Sequence, residues 1–181
     1  MVMKQTAITV SWLNEVLRDL LGEAQVTKFS LSDIGAGVGF GGVLLRVAIY
    51  YSVPGAGPAS VIIKLPSTDL NTFESLKAQN ILLREALFYR DLAPGICLDL
   101  PKIYYVSVTA DDFVIVMQDL GDVVDQTETD LSMADATIAL TSIAKLHAGY
   151  WNHPTTREPW LAPVASGDAN ARIDNLNRLR H

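Results

Sequence analysis

A chain of 181 residues, 49% of them hydrophobic and without repeats or low-complexity tracts, has the composition of one globular domain plus part of a second. The formal net charge of −6 argues against nucleic-acid or anionic-membrane partners, and no stretch approaches the roughly 20 apolar residues of a membrane span. Cys97 is the only cysteine, so no intrachain disulfide or cysteine metal cluster is expected, and the three histidines lack zinc-ligand spacing. The first residues lack the apolar core of a signal peptide, which predicts a cytoplasmic protein.

The first predicted element is a helix from about Ser11 to Leu21, ended by Gly22. Its apolar residues recur at helical spacing and form one stripe: Leu13, Val16, Leu17 and Leu20. This stripe is expected to pack on a sheet.

A glycine-rich segment comes next, with Gly37, Gly39 and Gly42 at G-x-G-x-x-G spacing. A dinucleotide-binding oxidoreductase would continue with a helix, whereas here the apolar, β-branched run 43–51 follows, then a Pro-Gly turn and a second apolar run at 61–65. A glycine cluster alone is commonly just a flexible turn. The order strand, glycine loop, strand favours a lid over nucleotide phosphates and disfavours the oxidoreductase alternative.

Lys64 lies inside the second apolar run, and a buried ammonium needs a partner or an anionic ligand. The segment Phe73–Leu92 has helical periodicity and is predicted to be one helix with Glu85 on its apolar face. Taken alone, Lys64 could protect a sheet edge and Glu85 could cap or snorkel. Taken together, they are predicted to pair.

Beyond Pro101, the runs 102–108 and 113–117 predict two strands joined by a turn at 110–112, and residues 118–121 form a connector. With the glycine-rich segment, the strand lysine, the helix glutamate, the two strands and the connector in this order, the chain resembles the small lobe of a protein-kinase-like phosphotransferase. It is most similar to the aminoglycoside phosphotransferase and choline kinase group, in its ecdysteroid-kinase-like branch. The resemblance covers roughly residues 29–151 and is carried by the phrases KLP, REALFYRDL, LPKIYY, VMQDLGD and AKLHAGYW.

The resemblance implies a phosphate-binding set of residues. The backbone amides near Gly37, Gly39 and Gly42 would approach the phosphates of ATP, because glycine has no Cβ in the way. Lys64 would hold the α- and β-phosphates, and Glu85 would fix its ammonium. The ion pair is expected in a site dry enough that losing either partner costs several times the ~1 kcal/mol of a surface pair.

The resemblance also implies an adenine pocket. Met117 would lie at its back, and the backbone carbonyl of Gln118 and the backbone amide of Leu120 would bind the edge of the base. The apolar sandwich around the base would come from Val43 or Leu44, Ile62 and Met117.

The catalytic part of such enzymes is not found in this sequence. The family carries a His-Gly-Asp-x-x-x-x-Asn loop, whose Asp is the base and whose Asn binds Mg²⁺, and a later metal-binding Asp. Residues 166–170, Ser-Gly-Asp-Ala-Asn, echo it only superficially. No catalytic or metal-binding residue is therefore assigned, and the chain alone is expected to be inactive, with Mg²⁺ ligands and base supplied by a missing part.

After the connector, Ser132 to Asp135 predicts a capping box that starts a helix to about Tyr150. His147 on this helix is expected to be a core histidine rather than a catalytic one. Trp151 and Trp160 are expected to anchor an irregular stretch, and a further helical pattern runs from Arg172 to His181.

The sequence thus predicts an α+β fold: a kinase-like small lobe over residues 1–120, with a five-stranded antiparallel sheet and one helix, and the first helices of a mainly helical large lobe over 121–181. The predicted function is the ATP-binding portion of a small-molecule kinase that phosphorylates an alcohol group. The alternative is a pseudokinase-like module that senses a nucleotide or binds a protein partner without catalysis.

Overall fold

The computed structural model describes residues 5–34, 42–78, 81–110, 112–121, 132–153 and 158–161. Over these ranges, five antiparallel strands form one sheet in the spatial order β1-β2-β3-β5-β4. Their bounds are β1 Val26–Asp33, β2 Gly42–Tyr51, β3 Ser60–Pro66, β4 Ile103–Val108 and β5 Phe113–Gln118. The predicted α+β class and five-stranded sheet are confirmed. Gly37, Gly39, the 166–170 echo and the predicted helix from Arg172 lie outside the described residues.

The two faces of the sheet pack against different helices, because side chains along a strand alternate between faces. One face, here called the α1 face, carries Leu45, Val47 and Ile63, which pack with residues of the N-terminal helices. The opposite face, here called the Lys64 face, carries Lys64 beside the buried core residues Ile62, Ile115 and Met117.

The predicted N-terminal helix is present, but it is interrupted. It consists of α1 (Val10–Val16) and α2 (Arg18–Leu21), and Leu17 between them leaves helical geometry with ψ near 6°. Leu17 is nevertheless only 1% exposed, because it packs in the core of the α1 face. Gly22 ends α2 with φ 58°, a conformation that glycine adopts without strain.

The prediction of one helix over Phe73–Leu92 is wrong. The structure has α3 (Leu70–Ala78), α4 (Arg84–Leu87) and a π-helical turn at Phe88–Leu92. The amides of Ile81 and Leu82 both donate to the Leu76 carbonyl, at 2.9 and 3.3 Å, so the chain widens beyond the i−4 bond of an α-helix. The widening buries Leu82 to 6% exposure and leaves Ile81 44% exposed.

The helix α5 (Met133–Tyr150) begins with the predicted capping box, in which the side chains of Ser132 and Asp135 each accept a backbone hydrogen bond. Its apolar residues are mostly on the outside: Met133 is 82% exposed and Leu140 is 68% exposed. Its packing against the preceding part of the chain includes a hydrogen bond from the Tyr150 hydroxyl to the Leu92 carbonyl, at 3.4 Å.

Two predictions about this region are corrected. His147 is exposed rather than a core histidine, because its side of α5 faces solvent. Trp151 is 78% exposed and so is not a buried anchor, whereas Trp160 in the short 3₁₀ helix Pro159–Leu161 is partly buried. Within the described residues, no helix combines the length and apolarity needed to span a membrane.

Candidate functional site

The centre of the candidate site is an ion pair on the Lys64 face. Strand β3 projects the Lys64 ammonium, and the single turn α4 presents the Glu85 carboxylate, whose Oε2 accepts a hydrogen bond from the lysine Nζ. The structure therefore brings together the two residues that the sequence predicted to pair. The side chain of Lys64 is 21% exposed and that of Glu85 is 41% exposed, so the pair is not enclosed in the dry site that was predicted.

Tyr89 shares the electrostatic environment of Glu85. It lies four residues further along the helical segment and packs against the core of the Lys64 face. Burial, and then the negative charge of Glu85, raise the pKa of Tyr89 above its usual range. The phenol therefore stays neutral beside the carboxylate, and Lys64 is the positive partner of Glu85 in this cluster.

Gly42 is the first residue of β2 and lies beside the Lys64 side chain. It pairs with Pro66, and a Cβ added to it would lie 2.7 Å from the Leu65 carbonyl oxygen and 3.4 Å from Lys64 Cε. Any side chain here would force the two strands apart. Gly42 thus allows a close backbone approach beside the lysine and keeps that space open.

An apolar surface adjoins the ion pair on the same face. The register pairs Leu44 with Lys64, and Ile62 with Met117, so these four side chains share the Lys64 face. Ile62 and Met117 are 8% and 9% exposed. Val43 pairs with Leu65 and packs on the α1 face, so the structure does not bring it to this surface, and Leu44 takes the position instead.

The connector leaves the sheet at the end of this apolar surface. The Gln118 amide donates to the Lys102 carbonyl at 2.8 Å, and the Gln118 side chain accepts from the Lys102 amide at 3.2 Å. Leu120 follows outside the strand and is 56% exposed. The backbone of both predicted residues therefore lies within three residues of Met117 along the chain.

Asp119 fixes the connector to the sheet, a role that sequence reasoning missed. Its carboxylate accepts from the Ser60 hydroxyl at 2.6 Å and from the Gly121 amide at 2.9 Å, and pairs with Arg46 Nε at 2.9 Å. The side chain is only 7% exposed. No local pattern reveals these contacts, because Ser60 and Arg46 lie 59 and 73 residues away in the sequence.

These contacts also set the ionisation of Asp119. Burial by itself raises the pKa of the carboxyl, but the hydrogen bonds from Ser60 and Gly121 and the charge of Arg46 outweigh it. The pKa of Asp119 therefore lies below its usual range. The tether is an ionised carboxylate at neutral pH.

The arrangement places a lysine ammonium next to an apolar surface. A lysine ammonium held by a carboxylate suits phosphate oxygens, and a flat apolar surface suits an aromatic ring. Within the described part of the chain, no group of three His, Cys, Asp or Glu side chains lies close enough together to hold a metal ion.

The family model described as the ecdysteroid kinase-like family matches residues 36–150, which is more than half of the chain and includes both members of the ion pair. No curated protein matches the chain.

Proposed function

The chain belongs to the ecdysteroid kinase-like family of the protein-kinase-like superfamily, and from this we propose that it is the ATP-binding portion of a small-molecule kinase. The family is one of kinase-like phosphotransferases. In our proposal, the intact enzyme transfers the γ-phosphoryl group of ATP to an alcohol group, with Mg²⁺ as the accompanying ion.

The observation that carries this proposal is the Lys64–Glu85 ion pair beside the apolar surface. Lys64 is proposed to hold the α- and β-phosphates, and Glu85 to keep its ammonium in place between binding events. The partial exposure of Lys64 supports phosphate binding at this position, and so does Gly42, which leaves room beside the Lys64 side chain. A ligand phosphate can therefore reach the ammonium from solvent. Gly37 and Gly39, outside the described residues, are proposed to complete the phosphate lid.

The adenine is proposed to lie on the apolar surface of Leu44, Ile62 and Met117. The Gln118 carbonyl and the Leu120 amide are proposed to bind its edge. The Asp119 tether supports this role, because it holds the backbone between those two groups on a rigid sheet.

We further propose that residues 1–120 form the small lobe and residues 121–181 belong to a large lobe. The chain's own residues bind and orient the nucleotide. The base and the Mg²⁺ ligands are proposed to come from outside these 181 residues, since the sequence has no His-Gly-Asp-x-x-x-x-Asn loop. The chain alone should therefore bind nucleotide without turnover.

The experiment that tests the proposal is a titration of the chain with Mg-ATP by isothermal calorimetry, repeated with Lys64→Ala. We expect weak saturable binding that Lys64→Ala weakens about tenfold or more, since a charge-assisted hydrogen bond contributes about 1.5–3 kcal/mol. Lys28→Ala is the matched control. Lys28 is on the edge strand β1, where its ammonium lies over the ring of Tyr50, away from the ion pair. Identical curves for the wild type and Lys64→Ala would contradict the proposal.

A second candidate is a pseudokinase-like module that senses a nucleotide or binds a protein partner without catalysis. It is favoured by the exposed apolar residues of α5, such as Met133 and Leu140, which offer a surface for a partner. Its nucleotide-sensing form predicts the same titration. Transfer of labelled phosphate from ATP to an alcohol by the intact protein separates the two candidates, because only the kinase forms a phosphorylated acceptor.

A further inference from the structure

The helix α5 carries a mostly apolar stripe along one exposed side. Met133, Leu140 and His147 recur every seven residues, and residues seven apart differ by only about 20° around an α-helix. Trp151 follows His147 by four residues and continues the same side at the end of the helix. All four side chains are exposed. These four residues are called the α5 stripe below.

The charged residues of α5 lie off this stripe. The helix has two formally charged residues, Asp135 and Lys145. Asp135 is two residues after Met133 and Lys145 is two residues before His147, and residues two apart do not share a face of a helix. Covering the stripe with another apolar surface is favourable in proportion to the area removed from water. The stripe therefore suits an apolar partner.

The stripe leads into an apolar groove of about 540 Å³ beside the π-helical turn. His147 and Trp151 line the groove from the stripe, Phe88 lines it from the turn, and Leu161 lines it from the short 3₁₀ helix. Leu161 is also the last residue that the structure describes. The chain therefore continues from a wall of this groove.

The continuation contains a segment whose sequence matches the stripe. Residues 172–181 lie outside the described residues, and their sequence places Ile173, Leu176 and Leu179 at intervals of three. Residues three apart are neighbours on the surface of a helix. Every other residue of the segment is polar or charged. A helix with this sequence would have one apolar side.

The length of the linker favours contact within one chain. Residues 162–171 are ten residues, which span at most about 36 Å. The 18 residues of α5 extend over about 27 Å, so the segment can reach any part of the stripe. A short flexible linker gives an effective concentration on the order of mM, so a small contact area is sufficient.

The same area is small for contact between two copies of the chain. A stripe about 27 Å long and about 10 Å wide covers roughly 270 Å². A standard protein–protein interface buries about 800 Å² of each partner. A second copy is therefore a poorer occupant than a segment that is already linked to the groove.

We propose that residues 172–181 form an amphipathic helix that docks on the α5 stripe, with Ile173, Leu176 and Leu179 against it. This docking goes beyond the proposed nucleotide site and does not depend on it. It uses the exposed apolar residues of α5 that the non-catalytic candidate would offer to a protein partner. A partner would therefore have to displace the chain's own segment.

The first test measures the accessibility of the stripe in the full chain. Cys97→Ser removes the single native thiol, and Leu140→Cys or Ile138→Cys then introduces one reporter. Leu140 is 68% exposed and Ile138 is 66% exposed, but they lie two residues apart and so on different faces of α5. We expect a maleimide to react at least about tenfold more slowly with Leu140→Cys, which corresponds to about 1.4 kcal/mol in favour of the docked state. Equal rates would overturn the proposal.

The second test identifies the segment that covers the stripe. Leu176→Asp, added to the Leu140→Cys chain, places a carboxylate on the apolar side of the segment, and burying an unpaired charge is unfavourable. We expect the labelling rate to rise to that of the Ile138→Cys chain. Asn175→Asp is the matched control, because it adds the same charge at a neighbouring polar position. Protection that survives Leu176→Asp, or that Asn175→Asp removes equally, would overturn the proposal.

The third test separates docking within one chain from contact between copies. Protection by a linked segment is independent of chain concentration, whereas protection by a second copy follows mass action. We expect the same ratio of the two labelling rates in dilute and in concentrated samples. Protection that appears only in concentrated samples would overturn the proposal in favour of a dimer. Since no nucleotide is present in these tests, their results leave the proposed kinase function untouched.

Discussion

The Lys64–Glu85 ion pair should have a coupling free energy of about 1 kcal/mol in the nucleotide-free protein. The perturbation is a double-mutant cycle with Lys64→Met, which keeps the length and apolar stem of the side chain, and Glu85→Gln, which keeps its shape and removes its charge. The cycle isolates the pairwise interaction, because effects of each substitution on its other neighbours cancel.

The magnitude follows from the exposure of the two groups. Exposed pairs contribute about 0.2–1 kcal/mol, whereas breaking a fully buried pair costs about 3–5 kcal/mol. With Lys64 21% exposed and Glu85 41% exposed, water reaches both charges and screens their attraction. Direct contact and the packing of Tyr89 beside the carboxylate keep the value near the upper end of the exposed range.

The assay is urea unfolding of the wild type, the two single variants and the double variant at 25 °C, followed by circular dichroism. A coupling energy of about 3 kcal/mol or more would refute the argument, because it would show that the pair is shielded from water as the sequence alone suggested. A coupling energy indistinguishable from zero would also refute the argument, since the Glu85 carboxylate would then not stabilise the Lys64 ammonium.

Three further predictions concern other parts of the site and the sheet. Gly42→Ala should lower the free energy of unfolding by about 1–3 kcal/mol in urea, because its Cβ would lie 2.7 Å from the Leu65 carbonyl oxygen. In contrast, Gly149→Ala, with open space around it in a helix, should raise the free energy by about 0.5–1 kcal/mol. Asp119→Asn should lower the free energy of unfolding by about 1–3 kcal/mol at pH 7. Because folding lowers the pKa of Asp119, the difference in stability between the wild type and the variant is present above about pH 4 and disappears as the pH falls through the folded pKa. Burial raises the pKa of Tyr51 to about 12, so tyrosinate absorbance should show a late-titrating group that Tyr51→Phe removes. Stability should fall from about pH 10 towards 12 in the wild type, but less in Tyr51→Phe.

Much of the fold could be predicted because its signals are local. Strands β2 and β3 are runs of β-branched and aromatic residues separated by a Pro-Gly turn, and the capping box at Ser132 marks the start of α5 within four residues. The Lys64–Glu85 pair was also predictable, because Lys64 interrupts an apolar run and Glu85 falls on the apolar face of its predicted helix. An unpaired charge at either position would be unfavourable, because it would lose water without gaining a partner.

The contacts that could not be predicted join distant segments. Asp119 has ordinary neighbours in the sequence, and its partners Ser60 and Arg46 meet it only after β2, β3 and β5 have assembled. The break at Ile81 is of the same kind. A continuous helix satisfies the local periodicity, but placing Leu82 in the core favours a wider turn whose benefit is visible only against the finished sheet.

The choice between Val43 and Leu44 depends on register alone. Both are apolar neighbours in one strand, so their identity gives no preference for either face. Because Gly42 pairs with Pro66, Leu44 falls opposite Lys64 and Val43 falls opposite Leu65 on the α1 face. Since alternation has a period of two, a slip of one residue would exchange them. The close approach at Gly42 disfavours such a slip: moving β2 by one residue towards its N-terminus would bring the β-branched Val43 to the place where a Cβ meets the Leu65 carbonyl. The glycine therefore favours the register that places Leu44 on the Lys64 face, and it also makes room beside the lysine.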